Sequence, residues 1–366
     1  MLALALAVAL GWSGENPEGL ATRLPPAARS LFTVAWRRPL APFDEQGLEE
    51  GGVAADLVTG LAVCGTRDGW LHAYRPDGSL AWEFKAGGAF PAPPAIDGGV
   101  VYAGSSDGRV YALSLSDGKL RWSYDAGEEM GTRPTVANGA VYVMSLQDTL
   151  VALDAGTGDW KWLHRREARG IDRGFTIRGA ARALVHGDTV YGAYSDGFVA
   201  ALDGNNGQVR WERLVAPSGE YTDVDGLWLD GDRLFAAAYS GAVLALDARS
   251  GAQVWSFALP LVTRVTGGPG VLFAESATQL FGISSTTGQP LWRAPLGGSP
   301  GAPPVLAGRW LLVPAQSGGL RFVDPANGQA IRSFDGGTGV SGEPAVVGGR
   351  AYVLSNGGIL YALDLQ

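Results

Sequence analysis

The chain has 366 residues, a net charge of −8, 55 glycines and one cysteine, Cys64. The acidic balance and the lack of a basic face argue against nucleic acid as a partner. A single cysteine excludes an internal disulfide, and its place in the apolar run LAVCG marks it as a small buried hydrophobe.

Residues 2–10 form an apolar run of the size found in signal peptides, too short to span a bilayer and without a positive flank before it. A secreted or periplasmic route is expected. Residues 13–30, rich in Pro, Ala and Arg, read as an unstructured lead-in. Residues 1–30 are therefore set apart as a signal-like segment and lead-in, and 31–366 as one domain.

From residue 31 onward the chain repeats. Each repeat runs into Ala-Leu-Asp or a variant, then a Gly turn, then an aromatic, as in VYALSLSDGKLRW ending at Trp122 and LVALDAGTGDWKW ending at Trp162. The closing aromatics are read as Trp36, Trp82, Trp122, Trp162, Trp211, Trp255, Trp292 and Phe334, spaced by 37 to 49 residues. A strand-like repeat of that period predicts a β-propeller. Within one repeat, Asp97-Gly98, Asp107-Gly108 and Asp117-Gly118 supply turns between short β-favouring runs, which gives four antiparallel strands per blade. Third strands are expected near Leu71, Val110, Leu150, Val199, Leu244, Leu280, Leu320 and Leu360. The last has no outer strand after it, and Trp36 has no third strand before it. The fold class is thus all-β, an eight-bladed propeller closed by the segment from Phe32 to Trp36. The Gly before each Trp is read as the turn residue, and the Trp as a plate packed against the neighbouring blade.

Several motifs are absorbed by this pattern. Gly104-Ser105-Ser106-Asp107-Gly108 matches a nucleophile elbow, but it sits where a strand-to-strand turn recurs without serine, as at Arg67-Asp68-Gly69. Gly337, Gly339 and Gly342 match a dinucleotide fingerprint but lead into Glu343-Pro344 and a strand, with no helix to bind the phosphates. His72, His164 and His186 have no metal-ligand spacing. No catalytic, cofactor or metal residues are expected.

Two neighbouring connections are long. The first, LHRREARGIDRGFTIRG, is basic, with Arg165, Arg166, Arg169, Arg173 and Arg178; the second, VAPSGEYTDVDG, carries Glu220, Asp223 and Asp225. Long loops on a rigid scaffold favour binding. Either Arg178 pairs with Asp223 or Asp225 and staples two blades, or Phe175, Ile177, Arg178, Asp223 and Asp225 form a docking patch; both can hold together.

The repeats resemble the pyrroloquinoline-quinone-type propellers, whose Ala-x-Asp-x-x-x-Gly-x-x-x-Trp pattern stands at Ala152 to Trp162. The dehydrogenases of that superfamily carry a vicinal cysteine pair, which Cys64 alone cannot supply. Between Phe175 and Gly251 the chain is more similar to the BamB family. The carriers are Phe175-Thr176-Ile177-Arg178-Gly179, Thr222-Asp223-Val224-Asp225 and Ala238-Tyr239-Ser240-Gly241. The resemblance implies a non-enzymatic scaffold of outer-membrane β-barrel assembly; the alternative reading is a secreted or surface propeller that binds a ligand or acts as a sensor, unrelated to BamA. The resemblance makes Phe175, Ile177, Arg178, Asp223 and Asp225 contacts to the periplasmic POTRA region of BamA. It also implies unfolded outer-membrane proteins as further partners, a monomer outside the complex, and a periplasmic site at the inner face of the outer membrane. One departure is Trp12, after Ala9-Leu10-Gly11, where many members carry a lipid-bearing cysteine; no lipid anchor is expected there.

Overall fold

The computed structural model describes residues 31–40, 49, 51–166, 181–216 and 222–366; the signal-like segment and lead-in lie outside them. Eight sheets of four antiparallel strands follow one another along the chain. The first blade consists of Val53–Ala55, Ala62–Gly65, Trp70–Tyr74 and Leu80–Lys85. The expected third strands all form, from Trp70–Tyr74 to Ile359–Leu365. In the eighth blade Ile359–Leu365 pairs with Phe32–Pro39, Phe32 facing Leu365 and Pro39 facing Ile359. The closing strand is thus three residues longer than expected. It hides the open edge of the last sheet and ties together segments more than 300 residues apart.

The Trp, Gly and Ala of the repeat act as one joint. In register, each closing Trp faces a small residue of the third strand, as with Ala73 opposite Trp82, Ala112 opposite Trp122, Ala152 opposite Trp162 and Gly282 opposite Trp292. The indole can then lean toward the next blade. Its Nε1 donates to a carbonyl in that blade's last turn, as from Trp82 to Leu115 at 2.7 Å, Trp122 to Ala155 at 3.1 Å and Trp162 to Gly204 at 2.9 Å. The turn glycine rests on the ring itself. A Cβ at Gly158 (φ +78°) would lie 2.6 Å from the Trp122 ring, and one at Gly118 2.7 Å from that of Trp82. Glycine is therefore needed for close approach as well as for turn geometry.

One reading of the repeat is corrected. The closing position of the seventh blade, four residues after Gly328, is Arg332, opposite Phe322, and not Phe334. The next blade's outer strand comes from Phe32–Pro39, so no third-to-outer turn exists there to accept an indole N–H. Phe32 fills the space instead, stacked on Phe322 at 4.9 Å with the Arg332 guanidinium 5.7 Å from its ring. Phe334 packs edge-on against Tyr361.

The first strands line the axis, and from the eighth blade through the first to the sixth each touches the next. In the fifth and sixth blades these are seven residues long, Val224–Asp230 and Val262–Gly268; in the other six they have three. The meander puts the turns between first and second and between third and outer strands at one end of the ring. The second-to-third turns and the connections between blades lie at the other, here called the crossover end. Among the described residues, no helix is long and apolar enough to cross a membrane.

Candidate functional site

Both long connections leave from the crossover end, where the third, fourth and fifth blades meet. Phe175, Ile177 and Arg178 lie outside the described residues, as do Arg169, Arg173 and Glu220. The structure does describe the base from which those stretches rise. Arg166 lies where the basic connection leaves its blade. Its Nε donates to Asp196 at 2.8 Å and it also pairs with Glu212. The guanidinium covers the Phe198 ring at 4.1 Å and the Tyr194 ring at 5.7 Å. Two carboxylates and two rings fix its planar fork, so the start of the connection is held to the fourth blade. Beside it, His164 meets the Tyr194 hydroxyl at 2.7 Å. Burial pushes that phenol well above its ordinary range, so it stays neutral.

Asp148 adds a second tie. It occupies the second-to-third turn of its blade with φ +61°, a conformation that costs a non-glycine residue ~1 kcal/mol. Its carboxylate crosses to the fourth blade, accepting from the Ser195 amide at 3.1 Å and from the Ser195 hydroxyl. The Ser195 carbonyl then accepts from Thr222 Oγ1 at 2.7 Å. A chain of contacts therefore runs from the third blade to the start of the acidic motif in the fifth.

The two aspartates of that motif point inward: Asp223 is 3% and Asp225 6% exposed. A bulge between Val224 and Gly226 gives the first strand an extra residue, Asp225, and such bulges redirect side chains. The sixth blade carries a matching bulge between Val262 and Arg264. Gly226 sits against the Val265 backbone, where a Cβ would come within 3.1 Å. Burial raises the Asp225 carboxyl to about 7, with Arg264 opposing and Asp223 adding to the rise. Glu275, the ladder partner of Arg264, is fully buried with both carboxyl oxygens unpartnered among the described residues. Burial raises it to about 8 against the pull of Arg264. Arg264 and Glu275 escaped the sequence reading, because nothing local marks a strand residue as facing a neighbour's bulge.

The declined motifs are structural. Ser105 sits in a strand-to-strand turn, its hydroxyl donating to the Gly88 carbonyl at 3.1 Å, and Gly342 precedes the strand Ala345–Val347. His72 is buried against Glu83 at 2.8 Å, and His186 is exposed, 3.8 Å from Asp232. Cys64 is fully buried, and burial pushes its thiol far up. Among the described residues no three His, Cys, Asp or Glu side chains converge as metal ligands.

A family model described as outer membrane protein assembly factor BamB matches residues 67–276 and 241–366. The protein of that name from Pseudomonas aeruginosa is 30% identical over 202 residues, 52% of this chain and 53% of its own length. The chain thus spans about half the length of the curated relatives it matches. The crystal structure of BamB from Moraxella catarrhalis superposes with a TM-score of 0.78 at 23% identity, covering 91% of this chain and all of that one. A europium-containing methanol dehydrogenase superposes with a TM-score of 0.77 at 13% identity, covering 94% of this chain and 95% of its own. Likenesses that distant speak to the fold alone.

Proposed function

This chain belongs to the family of outer membrane protein assembly factor BamB, and on that premise we propose that it is a non-enzymatic scaffold in β-barrel assembly. It works in the periplasm at the inner face of the outer membrane, docking to the POTRA region of a BamA-like protein and meeting unfolded barrel proteins there. Outside that complex it is a monomer. The docking surface is the crossover end of the third to fifth blades, with Phe175, Ile177, Arg178, Asp223 and Asp225 as the contact set.

The observation that carries this reading is the bracing under the two long connections. Arg166, Asp148, Ser195 and Thr222 tie three consecutive blades together where those connections rise. Such bracing lowers the ordering cost of binding. Asp223 and Asp225 belong to the same proposed contact set as Phe175, Ile177 and Arg178; their burial supports a role for them in holding the shape and charge of the motif.

A pull-down of the full chain with the periplasmic region of BamA from the same organism tests this. Wild type and Val58→Ser, an exposed substitution at the opposite end of the ring, should bind alike. Arg178→Glu and Ile177→Asp should lose most of the binding. Equal capture of wild type and all three variants would remove the assigned surface, and no capture of wild type would remove the partner.

A further inference from the structure

Near the axis of the ring, Arg182 has no hydrogen-bond or ion-pair partner of its own among the described residues, although the charge of Glu343 reaches it. Counting back four residues from the last paired residue of each first strand gives one position per blade. It is Arg133 in the third blade, Arg182 in the fourth, Arg264 in the sixth and Glu343 in the eighth. Arg133 reaches across the axis and donates to Glu343 Oε1 at 2.7 Å. Arg182 makes no hydrogen bond or ion pair among the described residues, although it stands close enough to Glu343 and Arg133 to feel both charges. Burial lowers its guanidinium from the ordinary value, with Glu343 opposing and Arg133 adding to the fall. An arginine stays charged even so. Among the described residues one carboxylate thus acts on two cations, and one positive charge is in excess in a partly dehydrated place.

That place is a cavity of about 420 Å³ between the first strands of the second to fifth blades. Arg133 and Arg182 lie at one side of it. Ile96, Val136, Leu184 and the flat ring of Trp228 provide apolar wall, and Asp97 stands exposed at its rim. Pockets that take small molecules have this size, and here the exposed lining is more polar than apolar, with the two arginines and Thr135 beside the apolar side chains. A guanidinium fork matches a planar or tetrahedral oxyanion, and Arg182 is among the residues that line this cavity.

We propose that this axial cavity is a binding site for a small organic oxyanion, a carboxylate or phosphate monoester on a compact apolar body, with Arg182 as its principal ligand and Arg133 assisting. Charge and shape divide the work. The arginines select the oxyanion, the walls take the apolar body, and Asp97 at the rim disfavours molecules with a second anionic end. Arg182 follows directly on the basic connection, but the proposal does not rest on the docking role.

Titration calorimetry on the full chain, with phenyl phosphate and benzoate as separate probes, tests it. At least one probe should bind saturably with one-to-one stoichiometry, and Arg182→Gln should weaken it about tenfold or more, ~1.4 kcal/mol. Arg165→Gln, outside the cavity, should leave it unchanged. Arg182→Gln should also unfold no earlier than wild type, because it removes an excess charge from a partly buried place. Should that variant fail to fold, Arg182→Lys takes its place; it keeps the charge without the fork and should bind measurably more weakly than wild type. Absence of saturable binding of both probes, affinity unmoved by the Arg182 change, or an equal loss in Arg165→Gln would overturn the proposal.

Discussion

Replacing Asp225 by Asn should make the protein more stable at pH 8 and leave it unchanged at pH 4. In the folded chain burial raises Asp225 from 3.8 to about 7; in the unfolded chain it returns to the ordinary value. Between those two values the folded state holds a proton that the unfolded state has released. Stability associated with this group is full below about pH 4 and is lost as pH rises through about 7. The gap corresponds to roughly 4 kcal/mol at ~1.4 kcal/mol per pH unit, a large share of the 5–15 kcal/mol that holds a typical domain together. Arg264 can follow the ionised group and relax part of that, so ~2–4 kcal/mol is expected. Asn keeps the shape and cannot ionise. Urea unfolding of wild type and Asp225→Asn across pH 4 to 9 measures the difference directly. A gain that grows with pH and levels off above about 8 supports an inward-facing carboxyl. A difference that stays near zero at every pH would refute it and return Asp225 to the surface as an ordinary exposed contact.

Three further outcomes follow from the same geometry. Glu275→Gln should give a similar pH-dependent gain that levels off later, because burial holds this carboxyl at about 8 and not about 7, read by the same unfolding series. Gly158→Ala should cost roughly 2–4 kcal/mol, left-handed strain plus displacement of the Trp122 ring. Gly139→Ala, at φ +72° with open space around it, should cost only ~1 kcal/mol, and comparing their denaturation midpoints separates the two terms. Arg166→Met should cost about 3 kcal/mol by leaving the largely buried Asp196 without its partner; thermal unfolding reads it, and limited proteolysis should show earlier cleavage in the basic connection.

The ring was legible because its signals are local and repeated. A turn glycine and a tryptophan four residues on recur often enough that blade number and closure can be counted. The count slipped at the seventh blade because Phe334 offered an aromatic two residues beyond the true position. Only the contact across the closing strand, where Phe32 replaces an indole, shows why Arg332 stands there. The long connections were legible as departures from the period. The inward turn of Asp223 and Asp225 was not, because a single-residue bulge reverses which way a strand residue faces without changing the composition around it. The axial arginines share no local motif either. Ring closure alone brings Arg133 and Glu343 together, 210 residues apart. A register count back from each hairpin turn would have placed Arg133, Arg182, Arg264 and Glu343 at one position in the blade, and that signal was present in the sequence.

The most direct test of the assembly role is the amount of folded β-barrel protein in the outer membrane of the source cell after this gene is deleted. The account predicts a fall in heat-modifiable, folded barrels that wild type restores and Arg178→Glu does not. Unchanged folded barrel levels in the deletion strain would contradict it.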